Sequence, residues 1–182
     1  MPVTKNDFRA KLLKERKVLT ADADRLTGLS QSLFALLERL CPKRLGSYSP
    51  MRGEPDFTDK LTVWAAATGC EIYWPAMTAE NMVYRRWTAD VRLEKDALGI
   101  ESPAGEASDV PPDVILLPCV GHDAKGHRLG YGKGCFDKYL SEHPDVTTVG
   151  LSFEKLAVPH SVFEAHDQPL DWIVTEMGAE KI

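Results

Sequence analysis

The sequence is short of the features that mark a secreted, membrane-bound or nucleic-acid-coating protein. Its four cysteines, Cys41, Cys70, Cys119 and Cys135, form no Cys-x-x-Cys pair and no dense framework. That excludes a small disulfide-stapled domain and favours reduced thiols. No apolar run approaches the roughly 20 residues needed to span a bilayer, and no apolar signal core opens the chain. Positive charge is in deficit: 22 basic against 27 acidic side chains leave a net charge of -5. A general nucleic-acid binder would carry the opposite balance. There is no internal repeat and no low-complexity tract. These absences leave a cytoplasmic protein that binds neither nucleic acid nor membrane. With 182 residues, 43% hydrophobic and 27% charged, it is long enough for one domain, 1–182, with a proper core.

What is present is an alternation of helical and strand patterns. "MPVTKNDFRAKLLKERKVL" has Thr4 as an N-cap and Phe8, Leu12, Leu13 and Leu19 at helical spacing, on an otherwise basic surface. Leu26, Leu29, Leu33, Leu36, Leu37 and Leu40 step by three and four in a second helix, which "CPK" breaks. "RLGSY" reads as a short strand and "SPMRGEPDF" as a loop. Thr58 to Thr68 reads as a helix stopped by Gly69. "CEIYW" is expected to be a strand ended by Pro75, with "MVYRRW" a further, edge-type strand. The stretch from Thr88 to Pro112 is rich in loop residues. "DVILLP" is a continuous apolar run, the mark of a buried strand, and "TTVGLSF" and "DWIVTE" are two more strands. The expected fold is α/β: a three-layer α/β/α sandwich on a mostly parallel or mixed sheet.

The informative stretch is "CVGHDAKGHRLGYGKG", between the buried strand "DVILLP" and a helix beginning "CFDKYL". In open α/β sheets ligands bind beyond the carboxyl ends of strands, where such loops emerge. Gly130, Gly132 and Gly134 lack a Cβ, so backbone N–H groups can approach an anion closely and adopt positive φ. The next helix aims its N-terminal amides at the same point. Arg128 and Lys133 add full positive charges. Neither Walker A nor G-x-G-x-x-G spacing is met, so a phosphate cradle and a flexible turn both remain open. Asp137, in the first helical turn, favours the helix dipole; beside a phosphate cradle it could also serve as a Mg²⁺ ligand.

The piece "LLPCVGHDAKGHRLGYGKGCFDKYL" resembles the signature of the 5-formyltetrahydrofolate cyclo-ligase, or methenyltetrahydrofolate synthetase, family. The basic "KNDFR" helix, the "YSPMRGEPDF" loop and the C-terminal "HDQPLDWIVTE" follow in the family's order. The resemblance implies an enzyme dependent on ATP and Mg²⁺ that closes 5-formyltetrahydrofolate to the 5,10-methenyl form by phosphorylating the formyl oxygen. Its partners would be two small molecules, ATP and a reduced folate, and no protein partner is implied.

Carried over by position, Lys5 and Arg9 share a helical face and would reach ATP phosphates. Arg128, Leu129, Gly130, Tyr131, Gly132, Lys133, Gly134, Cys135 and Phe136 would form the nucleotide site, with Arg128 and Lys133 catalytic. Glu54, Tyr131 and Cys135 would contact the folate, Glu54 through paired hydrogen bonds to the pterin. Asp137 and Asp171 would be the metal candidates, although an Asp at a strand start is commonly a turn residue.

This sequence departs from the family at several points. Cys135 and Phe136 stand where the family usually has two tyrosines, His122 replaces a usual Phe, and a family glutamine is replaced near Leu156. The departures motivate a second reading, a relative that binds nucleotide and folate without turnover or with altered turnover. A third possibility is an enzyme phosphorylating another N-formyl or carboxyl substrate. Cys119, His122, His127 and Cys135 also offer the donors of a zinc site, at unusual spacing.

Overall fold

The computed structural model describes residues 4–164 and 167–182; His166, the first residue of "HDQPLDWIVTE", lies outside them. Helix α1 (Lys5–Ala21) starts at Thr4, whose hydroxyl and backbone N–H form a reciprocal capping box with Asp7. Helix α2 (Ala23–Leu40) is capped by Asp22 and stops at Cys41, whose left-handed φ of 46° ends the hydrogen-bond ladder. Strand β1 (Arg44–Gly46) follows. Helix α3 (Thr58–Thr68) ends at Gly69 in the left-handed conformation, as the glycine predicts. Among the described residues no helix is long and apolar enough to cross a membrane.

Strand β2 (Glu71–Met77) runs through Pro75 rather than ending there, and pairs antiparallel with β3 (Met82–Trp87). The reason is local. The peptide groups of Tyr73 and, two residues on, Pro75 face β1, and β1 pairing ends with the bond from Ser47 N–H to Tyr73 C=O. A missing N–H at Pro75 therefore breaks no ladder bond. The segment expected as loop contains a small hairpin, β4 (Leu93–Lys95) and β5 (Glu101–Pro103). Asp96 builds its turn, accepting N–H bonds from Leu98 and Ile100 at one oxygen and from Met77 at the other.

Strand β6 (Val114–Pro118) is buried throughout. The glycine-rich stretch is partly ordered as a two-stranded ribbon, β7 (Gly121–His122) with β8 (Arg128–Leu129). Helix α4 (Cys135–Glu142) precedes β9 (Thr147–Leu151), β10 (Trp172–Thr175) and β11 (Gly178–Lys181). Strand β9 thus stops before the "SF" of "TTVGLSF".

The sheet has the order β11-β10-β9-β6-β1-β2-β3, with a parallel centre and antiparallel strands at both edges. Alternation along β6 sorts side chains to two faces: Val114 and Leu116 pack with α1, α2 and α3, while Ile115 and Leu117 pack with Tyr139 of α4. The result is helix, sheet, helix. From β1 the chain crosses to β2 on one side and later returns to β6 on the other. The strand order therefore reverses between β1 and β6, where parallel sheets open a crevice at their carboxyl ends.

Candidate active site

A cavity of about 450 Å³ lies at that reversal. Its wall takes Tyr48 to Glu54 from beyond β1, Pro75 and Met77 from the end of β2, and Pro118 and residues 128–137 from beyond β6. The tip of the β4–β5 hairpin adds Leu98 and Ile100, and α1 adds Lys5 and Arg9. Every site residue expected from the sequence lines this cavity except Asp171.

The cationic half is built around the glycine turn. Arg9 donates from Nε to the Gly130 carbonyl at 2.8 Å, and its Nη1 bonds Asn6 at 2.7 Å. Gly132 has φ 89°, and a Cβ there would lie 3.3 Å from the Arg9 guanidinium carbon. A side chain at that position would thus be both strained and crowded against Arg9. Gly134, at φ 67°, is the N-cap of α4 and leaves the first-turn amides without a side-chain acceptor. Arg128 donates to Asp137 Oδ1 at 2.6 Å and lies over the Phe136 ring, 5.6 Å from its centroid. Lys5 bonds Asp167 at 2.6 Å. Lys133 is exposed, and its ammonium has no hydrogen-bond or ion-pair partner among the described residues. Leu129 contributes backbone here, because its side chain is core.

The opposite half holds a buried polar group that the sequence reading placed on a solvated basic face. Arg16 falls on the same stripe of α1 as Leu12 and Leu19, and only 1% of it is exposed. Its guanidinium donates to the Tyr131 hydroxyl and to the carbonyls of Cys119 and Arg52, each of the latter at 3.2 Å. Tyr131 in turn donates to Glu54 Oε1 at 2.8 Å, while the Met51 N–H donates to Oε2 at 2.9 Å. Arg16 stands 3.8 Å from the same carboxylate. Burial pushes the Glu54 carboxyl above its ordinary value, against the opposing pull of the Met51 amide, Arg16 and Tyr131. Burial likewise raises the Tyr131 phenol to about 12, helped by the Glu54 charge. Each Glu54 oxygen accepts one such bond and keeps further acceptor capacity, and Glu54 lines the cavity.

Two groups singled out in the sequence are placed apart from the cavity's ligand-facing residues, Cys135 excepted. Asp171 is the turn residue of the alternative reading: its Oδ2 accepts from the Thr148 N–H at 2.7 Å and hydroxyl at 2.8 Å, tying β9 to the start of β10 outside the cavity. The donors Cys119, His122, His127 and Cys135 do not converge. Cys119 is buried beneath the sheet, and burial pushes its thiol up to about 11. His122 is buried against Ser152 at 2.8 Å, Cys135 turns to the Lys133 carbonyl, and His127 joins Asp123. The sequence did carry a signal for Arg16, an arginine interrupting an apolar stripe at helical spacing.

Fold and site together define an α/β enzyme whose strand-end cavity sets a cationic glycine turn against a buried carboxylate. The chain belongs to the 5-formyltetrahydrofolate cyclo-ligase family, whose model matches residues 2–176. A 5-formyltetrahydrofolate cyclo-ligase of Haemophilus influenzae is 26% identical over 177 residues, 91% of this chain and 94% of the relative. The mouse protein of the same name is 38% identical over 69 residues, 35% of this chain and 34% of its own. Among solved structures, the Aquifex aeolicus 5,10-methenyltetrahydrofolate synthetase superposes with a TM-score of 0.79 at 28% identity, covering 97% of this chain and 92% of that one. A 5,10-methenyltetrahydrofolate synthetase from Mycoplasma pneumoniae shares the fold, with a TM-score of 0.72 at 21% identity over 94% of this chain and 98% of that one.

Proposed function

We propose that this chain, as one cytoplasmic domain, uses Mg-ATP to convert 5-formyltetrahydrofolate into 5,10-methenyltetrahydrofolate. The observation that carries the reading is the convergence of Lys5, Arg9, Arg128, Lys133 and the glycine turn on one cavity that also contains Glu54. A triphosphate suits the cationic half: guanidinium forks, mobile ammoniums and exposed amides are the groups that hold phosphoryl oxygens. A flat heterocycle with N–H donors suits the Glu54 half, between Tyr131 and the apolar side chains of Met77, Leu98 and Ile100.

The reaction needs a phosphoryl group moved from ATP to the formyl oxygen, with ADP leaving. The second folate nitrogen then attacks the activated carbon, and the oxygen departs as phosphate. Phosphoryl transfer is catalysed mainly by positioning and charge neutralisation. Arg128, oriented by Asp137 and Phe136, positions the triphosphate, and Lys133 meets the charge on the transferring group. Arg16 holds the Tyr131 hydroxyl and Glu54 in register with the pterin. The carboxylate of Asp137, an oxygen donor beside these cations, fits Mg²⁺, which when bound would neutralise phosphate charge. Asp171 holds β9 to β10 in this reading and has no ligand role. The test is to mix protein, Mg-ATP and 5-formyltetrahydrofolate and watch for the methenyl chromophore. Absence of product at high enzyme concentration, with ATP still bound, would overturn the assignment.

A second reading, a binder without this turnover, is favoured by Cys135 and Phe136, which put a thiol and a bare ring at the cavity where the family usually has two phenols. Calorimetric titration with folates separates the two. Tight folate binding without ATP consumption supports the binder, and turnover removes it.

A further inference from the structure

Three side chains with metal-ligating atoms meet on the ribbon side of the glycine-rich stretch, outside the cavity. Asp123 follows β7, His127 precedes β8, and His160 opens the short 3₁₀ turn His160–Val162. None of the three lines the cavity. Their ligand atoms all lie within 4.8 Å of one another, the one such group among the described residues.

We propose that Asp123, His127 and His160 form a binding site for a divalent transition-metal cation of the zinc class. The donor set is two imidazole nitrogens and one carboxylate oxygen, which suits Zn²⁺, Co²⁺ or Ni²⁺ rather than the all-oxygen shell of Mg²⁺. Asp123 is nearly fully buried, with a side chain 2% exposed, and its position is fixed from behind. Its Oδ1 accepts N–H bonds from Lys125 and His127, both at 2.9 Å. That second layer of bonds aims Oδ2 at the two rings, with His160 Nδ1 at 2.6 Å and His127 Nδ1 at 3.1 Å. A bound cation replaces the protons shared between the rings and the carboxylate. The His160 side chain is 51% exposed, which gives the ion an entry path and leaves its remaining coordination positions to water.

The site would clamp a wall of the neighbouring cavity. The His127 ring stacks on Phe163 with centroids 5.4 Å apart, and Phe163 lines the cavity. Gly126 C=O accepts the Leu170 N–H, so the ribbon already holds the chain beyond that wall. The cation is not routed through the proposed reaction, and the site stands whether or not the folate assignment does.

The test is to titrate the metal-free full-length protein with Co²⁺ and follow its visible d–d absorption, then displace it with Zn²⁺. One equivalent should bind with the intense absorption of a low-coordinate site, and excess Mg²⁺ should not compete. His160→Ala, at a half-exposed position, should fold normally and weaken Co²⁺ binding by at least about tenfold. His127→Gln should do likewise, and His143→Ala should leave the spectrum unchanged. Zn²⁺ should raise the melting temperature of the parent but not of His160→Ala. No d–d absorption in the parent, or Co²⁺ affinity in both ligand variants equal to the parent's, would show the cluster to be a hydrogen-bonded clasp only.

Discussion

At the scale of single residues, the buried trio of Arg16, Tyr131 and Glu54 has the clearest consequences. Removing Arg16 leaves Glu54 buried beside a tyrosine with only the weaker pull of Arg52 to compensate its charge. Arg16→Met should therefore lose about 3 kcal/mol of stability in urea unfolding, and Arg16→Lys should lose less. The raised Glu54 carboxyl also sets a pH dependence. It holds its proton more tightly folded than unfolded, so its contribution is fully present below its ordinary value of 4.5 and is lost as pH rises through the higher folded value. Relative to Glu54→Gln, the parent should lose stability as pH rises from about 4.5, and parallel profiles would contradict this. Lys133→Ala should lower turnover far more than it weakens folate binding. A turnover within a few-fold of the parent would remove Lys133 from the transferring group. Most of these residues could be read in the sequence because cations among glycines are conspicuous. Arg16 is marked only by its place in an apolar stripe, because charge on a helix is ordinarily solvated and its burial comes from packing against Cys119 beyond β6 and Arg52.

At the scale of elements, the glycine turn and the strands that carry it separate what is local from what is not. Caps at Thr4, Asp22 and Gly69 are local chemistry, and the helices begin and end as that chemistry predicts. Pro75 misleads because the tolerance of a strand for proline depends on which neighbour its missing N–H would face, a fact of pairing rather than of sequence. The β4–β5 hairpin hides for a similar reason: its strands are three residues each, and Asp96 gains its third bond from Met77 of β2. Between the glycine turn and the β4–β5 hairpin turn, both at the cavity, the expected effects are graded. Gly132→Ala meets both a positive φ and the Arg9 guanidinium, whereas Gly99→Ala meets a positive φ in open space. Gly132→Ala should weaken ATP binding by at least about tenfold, a loss of roughly 1.4 kcal/mol, with Gly99→Ala much closer to the parent in calorimetry. Equal affinities in the two variants would detach the turn from the nucleotide.

For the whole molecule, topology decides where function can sit. The alternation of apolar strands and amphipathic helices makes the layered α/β architecture legible, but the strand order is set by pairing between segments far apart in sequence. That order places the reversal between β1 and β6, and with it the meeting of the Glu54 loop and the Arg128–Asp137 segment across the cavity. In the proposed function this meeting point holds the triphosphate of ATP. The most direct measurement is a crystal structure with Mg²⁺ and a slowly hydrolysed ATP analogue. Phosphate oxygens should lie on the amides of residues 130–134 and on Lys5, Arg9, Arg128 and Lys133. A triphosphate lodged away from the glycine turn would contradict it.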